Sequence, residues 1–285
     1  MASYRQGHGE GRFAVAGRRL GRATLVVIAA LLILLPIFGP MLAPNDPEYA
    51  DILTRMQPPS AQYPLGTDAM GRCLFSRLLW GARITLVWSA VIVAAAASIG
   101  TLIGLYCGYR RGWVDLVMMR LVEGVSVLPS LAIAVVISSV LGLGLWALVI
   151  SLIAVHWTGY ARLVRNTIVG ESGKLYVTAA RAMGAPSSRI MLHHLLPNIG
   201  SPLLVLATHS MSAMMLSFAG LSYLGLGVEP GVAEWGRIIA DGRNHMRTDP
   251  RLVVAPGLLI MAIIISLNLI GDALADLWRS GSSIQ

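Results

Sequence analysis

Residues 124–161 read GVSVLPSLAIAVVISSVLGLGLWALVISLIAVHWTGYA and contain no charged side chain. A helix rises about 1.5 Å per residue, and the hydrocarbon core of a bilayer is about 30 Å thick. A run of 38 uncharged residues is therefore nearly twice as long as one crossing needs. Because the turn signal LGLGL at residues 141–145 interrupts it, the run predicts two spans, about 118–140 and 146–164, joined by a tight turn.

Four further uncharged stretches have the length of a membrane helix. A crossing needs about 20 apolar residues, and the stretches that meet this length lie at residues 23–42, 84–109, 201–222 and 252–271. The first follows several arginines and could be mistaken for a signal peptide. No A-x-A cleavage site follows it, so we expect an uncleaved helix. The sequence predicts an all-α integral membrane protein with six transmembrane helices.

The composition excludes a soluble globule. Of the 285 residues, 55% are hydrophobic and 13% are charged, whereas soluble domains average roughly 25% charged residues. A water-soluble domain could not hide so many apolar side chains, and intrinsic disorder is excluded for the same reason. The two cysteines, Cys73 and Cys107, are too few for a disulfide framework or a zinc site, so no metal site is expected.

The basic residues predict the orientation in the membrane. With six spans both termini lie on one side, and an N-terminus inside the cell places 14 of the 22 lysines and arginines inside and 8 outside. Cytoplasmic segments carry the excess of Lys and Arg, so we expect both termini in the cytoplasm (N-in/C-in). The net charge of +8 is therefore a signal of topology, and no nucleic-acid partner is expected.

The spans divide the chain into segments. We expect a cytoplasmic tail at 1–22, the first helix at 23–42, an extracytoplasmic segment at 43–83, a five-helix core at 84–277 and a C-terminal tail at 278–285. Residues 70–83 alternate apolar and basic positions at helical spacing. This pattern is typical of an amphipathic helix at the membrane surface and equally of a lead-in to the second span.

The cytoplasmic segment 165–200 is long for a connection between two membrane helices. Its alanine-rich part, Tyr176–Met183, suits a short helix that ends at Gly184. Pro186 suits the first turn of a second short helix, which Pro197 would end. Two short helices at a sharp angle would project on the cytoplasmic side, and we call this projection the knob (residues 176–197).

Two features of the predicted spans concern helix packing and polar contacts. Small residues recur every four positions in the second span, at Ala96, Gly100, Gly104 and Gly108. Such a ladder lets helices approach closely, either within this chain or between two subunits. His156 lies within the fourth span, where polar residues are functional candidates by default. We expect a hydrogen bond between helices there rather than contact with a metal or a peptide.

Several motifs carry a resemblance to a known family. The knob contains TAARAMG at 178–184 and LPN at 196–198. The other motifs, in chain order, are LGTDAMGR (65–72), SRLL (76–79), GAR (81–83), GY (108–109), GWVD (112–115), LSYLGLG (221–227) and NLIGD (268–272). Together they resemble the permeases of binding-protein-dependent ABC importers, and among these the C-type subunit of the dipeptide, oligopeptide and nickel permeases.

The resemblance implies a fold and a set of contact residues. The fold is that of type I ABC importer permeases, and segment 165–200 corresponds to the EAA loop that docks on an ATPase subunit. The residues expected at this interface are Tyr176, Thr178, Ala179, Ala180, Arg181, Gly184, Ala185, Pro186 and Pro197. Two positions depart from the family pattern: Thr178 stands where Glu is usual, which removes one ionic contact, and Cys73 stands where Asp is common.

The resemblance also implies the partners. They are a second homologous permease, one or two ATPase subunits, an extracytoplasmic substrate-binding protein and membrane lipid, in the cell membrane of a prokaryote. Because the chain has no Walker A sequence, ATP and Mg²⁺ would be bound by the ATPase subunits, and neither a cofactor nor a catalytic residue is expected here. The expected cargo is dipeptides or oligopeptides, with nickel chelates or haem-like ligands as the alternative.

Two functions of other classes compete with this interpretation. An intramembrane hydrolase would need a nucleophile beside its base, and the nearest pair is His209 and Ser210, which point about 100° apart on a helix. A secondary transporter would show inverted halves and ionisable residues at midspan, and neither is evident. A subunit that forms a transport pathway without catalysis is the leading interpretation.

Overall fold

The computed structural model describes residue 24 and residues 27–282, and its regular elements are helices. In chain order they are α1 (Val27–Leu42), α2 (Leu74–Arg110), α3 (Trp113–Val127), α4 (Ser130–Leu141), α5 (Leu145–Glu171), α6 (Leu175–Ala182), α7 (Ser187–Tyr223), α8 (Trp235–Gly242) and α9 (Arg251–Ser282). A single isolated β-bridge, between Thr67 and Cys73, accompanies them in this part of the chain.

Four of these helices, α2, α5, α7 and α9, are long and apolar enough to cross a membrane. The pair α3–α4 passes the same test only when it is taken together, and then counts as a fifth span. Helix α1 is a shorter apolar helix. The predicted tail at 1–22 and part of the predicted first span lie outside the described residues. The described chain therefore has four or five candidate spans where the sequence predicts six.

The predicted third span, 118–140, is not one straight helix. It breaks between α3 and α4, whose axes differ by 97°. Pro129 stands at the break, and Leu128 before it is extended, with φ −88° and ψ 147°. A proline ring disfavours helical geometry in the residue that precedes it, so the helix ends there. The turn expected at residues 141–145 is present, and Gly142 and Gly144 adopt φ values of 97° and 132°.

Residues 70–83 do not form a separate amphipathic helix. From Leu74 onward they belong to α2, which continues without interruption to Arg110, so the lead-in is the correct alternative. The basic positions of this stretch do not all face water either, because the side chain of Arg77 is only 1% exposed. With 37 residues, α2 is about 55 Å long and exceeds the thickness of the bilayer core.

Pro197 does not end the second helix of the knob. The backbone has a π-helical segment at Ile190–Leu195 and then continues as an α-helix, so that α7 runs from Ser187 to Tyr223. Pro197 lies in the first turn after the π segment. Because the π segment changes the hydrogen-bond register there, the helix tolerates a residue that lacks an amide proton.

Buried side chains form three apolar clusters along α2. The cluster at its beginning joins α2 to α7, α8 and α9 and includes Leu74, Met215 and Trp235. The middle cluster joins it to α4, α5 and α7. The cluster near its end joins it to α5, α6 and α7. The knob thus packs at one end of the helical bundle, which we call the knob end, and α8 packs at the other, the α8 end.

Candidate functional site

The knob is fixed to the bundle by the inner face of α6. Val177 and Ala180 are buried in the cluster that contains Leu105, Ile168 and Ile190. These two positions are three residues apart, which places them on one face of a helix. Ala180 was expected at the ATPase interface, but its side chain is covered by this chain itself. The knob is therefore packed into the folded bundle and is not a separate appendage.

The outer face of the knob combines small and apolar side chains. Thr178 and Ala179 are exposed, and the Thr178 hydroxyl donates to the Lys174 carbonyl of its own helix at 3.3 Å. Sequence reasoning missed two neighbours: Leu175 is 84% exposed and Met183 is 82% exposed. The sequence could have indicated the exposure of Leu175, because this residue does not lie on the helix face that Val177 and Ala180 bury. Exposed apolar side chains that lie together are typical of a surface that contacts another protein or a membrane.

Tyr176 and Arg181 support the knob from within this chain. The Tyr176 hydroxyl donates to Glu171 Oε2 at 2.9 Å and accepts from Asn198 Nδ2 at 3.1 Å. Burial and the neighbouring Glu171 carboxylate raise the pKa of the Tyr176 hydroxyl. The Arg181 guanidinium lies 5.5 Å from the centre of the Tyr109 ring, which is a cation–π distance. These contacts tie α6 to α2, α5 and α7.

The link between α6 and α7 is a compact turn. Gly184 has a φ of 79°, a conformation that favours glycine after the end of a helix. The Ala185 amide donates to the Ala180 carbonyl at 3.1 Å, and Pro186 occupies the position before α7. Gly184, Pro186 and Pro197 are exposed. Except for Ala180 and the half-buried Ala185, the expected interface residues thus have solvent-accessible side chains or backbone.

The small-residue ladder lies against α5 of the same chain. A methyl group on Gly100 would come within 2.5 Å of the Trp157 carbonyl oxygen, and one on Gly104 within 2.6 Å of the Ala161 carbonyl oxygen. One on Gly108 would come within 2.8 Å of Ile168 Cβ. Ala96, the first member, is fully buried in the middle cluster. The ladder therefore serves the contact between α2 and α5, which leads from the middle of the bundle to the knob.

Charged pairs lie beside this contact at the knob end. Arg165 of α5 is paired with Asp115 of α3, with 2.6 Å between Nη2 and Oδ2. Arg120 and Glu123 of α3 form an exposed pair at 2.9 Å. Arg162 donates to the Ser126 hydroxyl at 2.7 Å. Helix α3 is therefore attached to α5 by polar contacts as well as by packing.

A buried ion cluster organises the α8 end. Asp68 accepts from both Arg72 and Arg77, and both arginines also reach Asp241 of α8, at 3.1 Å and 3.3 Å. The sequence did not predict this cluster, because Asp241 is more than 150 positions away from its partners. The cluster joins the segment before α2, and the beginning of α2, to α8.

Glu234 is a buried carboxylate at the beginning of α8. It accepts from the backbone amides of Gly236 at 2.9 Å and Arg237 at 2.8 Å, and from the Thr85 hydroxyl at 3.1 Å. Burial raises the pKa of the Glu234 carboxyl. An acceptor at this position satisfies amides that the helix itself leaves free, and it connects α8 to α2.

A cavity of about 360 Å³ lies near the middle of the bundle, between α3, α5 and α7. His156, Tyr160 and Ser210 are among the residues that line it. The hydrogen bond between helices expected for His156 is absent from the described part of the chain, where Nε2 of this residue is buried without a partner. His209 is turned elsewhere, with Nδ1 3.0 Å from the Val205 carbonyl and Nε2 3.4 Å from Asp272.

The apolar helices and their packing define an integral membrane protein that carries the helical knob at one end of its bundle. Residues 100–280 match the family of binding-protein-dependent transport system inner membrane components. This match covers more than half of the chain, so the chain belongs to that family, and it is an ABC importer permease. Permeases of this family work with a partner permease, an ATPase and a binding protein.

Curated relatives extend the similarity over most of the chain. A dipeptide transport system permease protein of Alkalihalophilus pseudofirmus is 34% identical over 90% of this chain and 84% of its own length. A di/tripeptide transport system permease protein of Pseudomonas aeruginosa is 39% identical over 86% of this chain and 83% of its own length. A nickel transport system permease protein of Escherichia coli is 36% identical over 93% of this chain and 95% of its own length.

Proposed function

We propose that this chain is a permease subunit of an ATP-driven importer of dipeptides and tripeptides in the cell membrane of a prokaryote. The observation that carries the proposal is the similarity to two permeases named for dipeptide and di/tripeptide transport, which covers more than four-fifths of each chain. With a second homologous permease it forms the translocation pathway, and an extracytoplasmic binding protein delivers the peptide.

The knob is the proposed contact with the ATPase subunits. Its outer face presents Leu175 and Met183 to solvent, while Val177 and Ala180 bury the opposite face in the bundle. Because the outer face of the knob is apolar and its inner face is packed against the bundle, a partner bound to the outer face could displace the knob together with the bundle helices. The ATPase subunits bind and hydrolyse ATP, and α5 and α7 of this chain transmit the resulting movement into the bundle.

Both termini are proposed to lie in the cytoplasm, because the knob must face the side on which ATP is available. The excess of Lys and Arg on the knob side of the six predicted spans supports this orientation. A C-terminal green fluorescent protein fusion should fluoresce and a C-terminal alkaline phosphatase fusion should be inactive. The opposite pattern would overturn the orientation.

Import by the complete transporter tests the proposal. The chain is co-expressed with a second permease and ATPase subunits from the same organism, and the complex is reconstituted in proteoliposomes with its binding protein. We expect ATP-dependent uptake of radiolabelled Ala-Ala, and none when ATP is replaced by a non-hydrolysable analogue. Uptake of no di- or tripeptide by an assembled complex would contradict the proposed substrate class.

A nickel chelate is the second candidate cargo, because the nickel permease of Escherichia coli is as similar to this chain as the peptide permeases are. The same proteoliposomes distinguish the two. Uptake of ⁶³Ni²⁺ with a chelator such as histidine, in the absence of Ala-Ala uptake, would assign the transporter to nickel. Uptake of Ala-Ala alone would assign it to peptides.

A further inference from the structure

His156 is a half-buried side chain with one buried ring nitrogen that has no internal partner. It lies near the middle of α5, and its Nε2 atom is buried and makes no hydrogen bond to any other described residue. Folded proteins rarely leave such an atom unsatisfied, because its lost hydration costs free energy. Since His156 lines a cavity of about 360 Å³, a molecule within that cavity can supply the missing partner.

Five residues with hydroxyl groups line the cavity together with His156, and two of them, Tyr160 and Ser210, are neighbours. Tyr160 is one turn further along α5, so both side chains lie on the same face of the helix. The Tyr160 hydroxyl is buried, and Ser210 of α7 lies beside it. The three groups therefore point into one space from two helices.

The remaining lining indicates which ligand fits. No Asp, Glu, Lys or Arg is found among the described residues around the cavity. Ser126, Ser130 and Thr158 add further uncharged polar groups, and apolar side chains such as Leu206 and Met214 form the rest of the lining. A neutral imidazole offers one donor and one acceptor, and each hydroxyl offers both. Uncharged groups of both kinds match the N–H and C=O of an amide. The described residues also contain no group of three His, Cys, Asp or Glu that could hold a metal ion.

We propose that His156, Tyr160 and Ser210 form a subsite that hydrogen-bonds the backbone amide of a short peptide during translocation. The subsite rests on the proposed peptide function and adds to it the residues that contact the cargo. The volume is within the range of small-molecule pockets, and the apolar lining accommodates different side chains. Hydrogen bonding to the amide alone would make the subsite indifferent to peptide sequence, which suits a transporter whose binding protein selects the cargo.

The test compares three variants with a matched control. Tyr160→Phe and Ser210→Ala each remove one hydroxyl, and His156→Leu removes the imidazole. In the control, Thr167→Val, the lost hydroxyl also belongs to α5 and is bonded to the Leu163 carbonyl at 2.9 Å, but it lies outside the cavity. Uptake of Ala-Ala at saturating loaded binding protein should fall about five- to tenfold in the three variants and stay unchanged in the control. His156→Gln, which keeps a donor and an acceptor, should recover part of the loss.

A second cargo shows whether the contact is with the amide. Ala-sarcosine carries a methyl group in place of the amide proton, so the wild-type transporter should import it more slowly than Ala-Ala. The ratio of the two rates should approach one in His156→Leu and Tyr160→Phe, because coupled groups give non-additive effects. A purely structural role for these residues would leave that ratio as it is in the wild type.

The outcomes separate this proposal from the proposed function. Wild-type import of Ala-Ala, with equal import and an unchanged ratio in Tyr160→Phe and Ser210→Ala, would overturn the subsite and leave the peptide function standing. Absence of peptide import by the wild type would overturn the substrate class and the subsite together. Co-purification of the second permease and the ATPase verifies that each variant complex is assembled.

Discussion

Arg165 donates two hydrogen bonds to Asp115, from Nε to Oδ1 at 3.0 Å and from Nη2 to Oδ2 at 2.6 Å. Such a bidentate pair is both strong and directional. Asp115 is largely buried at the beginning of α3, and Arg165 lies where Gly104 and Gly108 of α2 approach α5. The pair therefore joins three helices at one point near the knob.

Removing Arg165 should destabilise the protein. In Arg165→Leu the Asp115 carboxylate loses its partner while it remains buried, which should lower the free energy of unfolding by about 2 kcal/mol. Unfolding can be followed with a thiol-reactive fluorescent dye in detergent, since Cys73 and Cys107 are both free and buried. The double variant Asp115→Asn/Arg165→Leu should recover part of the loss.

The matched control for this pair is Arg120→Leu. Arg120 pairs with Glu123 at 2.9 Å, but both side chains are exposed, and exposed pairs contribute little. The unfolding midpoint of Arg120→Leu should therefore stay close to that of the wild type. Equal destabilisation by Arg120→Leu and Arg165→Leu would refute the special role of the buried pair.

The contact between α2 and α5 should not tolerate a methyl group. In Gly104→Ala the new Cβ would stand 2.6 Å from the Ala161 carbonyl oxygen, and overpacking of this kind costs about 1–3 kcal/mol. The control is Gly124→Ala in α3, where the added Cβ meets no atom within 4 Å. Because alanine favours a helix by up to about 1 kcal/mol over glycine, the control should be neutral or stabilised. Similar unfolding midpoints for the two variants would contradict the close approach.

The outer face of the knob should bind the ATPase through apolar contacts. Met183→Asp places a charge at an 82% exposed side chain, so the permease should still fold and assemble with its partner permease. Co-purification of the ATPase subunit should fall at least about tenfold, the loss expected when roughly 1.4 kcal/mol of binding energy is removed. The control, Met246→Asp, makes the same change at a 54% exposed methionine near the α8 end. ATPase recovery that is the same for both variants would exclude this face as the docking surface.

Glu234 should stabilise α8 against α2. In Glu234→Gln one carboxylate oxygen becomes an amide nitrogen, which cannot accept from the Gly236 or Arg237 backbone amide. A buried donor without an acceptor costs about 1–3 kcal/mol, and the unfolding midpoint should fall accordingly. Glu229→Gln changes an exposed glutamate in the same connection and should have no effect. An unchanged midpoint for Glu234→Gln would show that the carboxylate is not needed as a cap.

The parts of the fold that depend on local sequence were predictable. The turn at Gly142–Gly144 and the glycine ladder of α2 follow from residue types at short spacing, and both occupy the places that the pattern indicated. The bend between α3 and α4 was harder to foresee. A hydropathy pattern is the same for a straight span and for two short helices at an angle, and only Pro129 marked the difference.

Contacts between distant segments could not be predicted. Arg77 lies in residues 70–83, which were interpreted as a surface helix or equally as a lead-in to the second span, and neither alternative indicates its partner Asp241, 164 positions away. Thr85 and Glu234 are 149 positions apart. Pro197 was expected to end a helix, since no residue pattern marks the π segment that precedes it. Ala180 was expected on the docking surface because the family motif contains it, whereas the structure shows it in the core.

The continuity of α7 has a consequence for how the cavity responds to the knob. Leu192 of the knob and Ser210 of the cavity belong to one uninterrupted helix and are separated along it by roughly 27 Å. A tilt of α7 at the knob end would also displace Ser210, because no loop lies between the knob and the cavity to absorb the movement. If the ATPase docks on the knob as proposed, the distance between Ser210 and Tyr160, and with it the width of the cavity, would change when the ATPase displaces the knob.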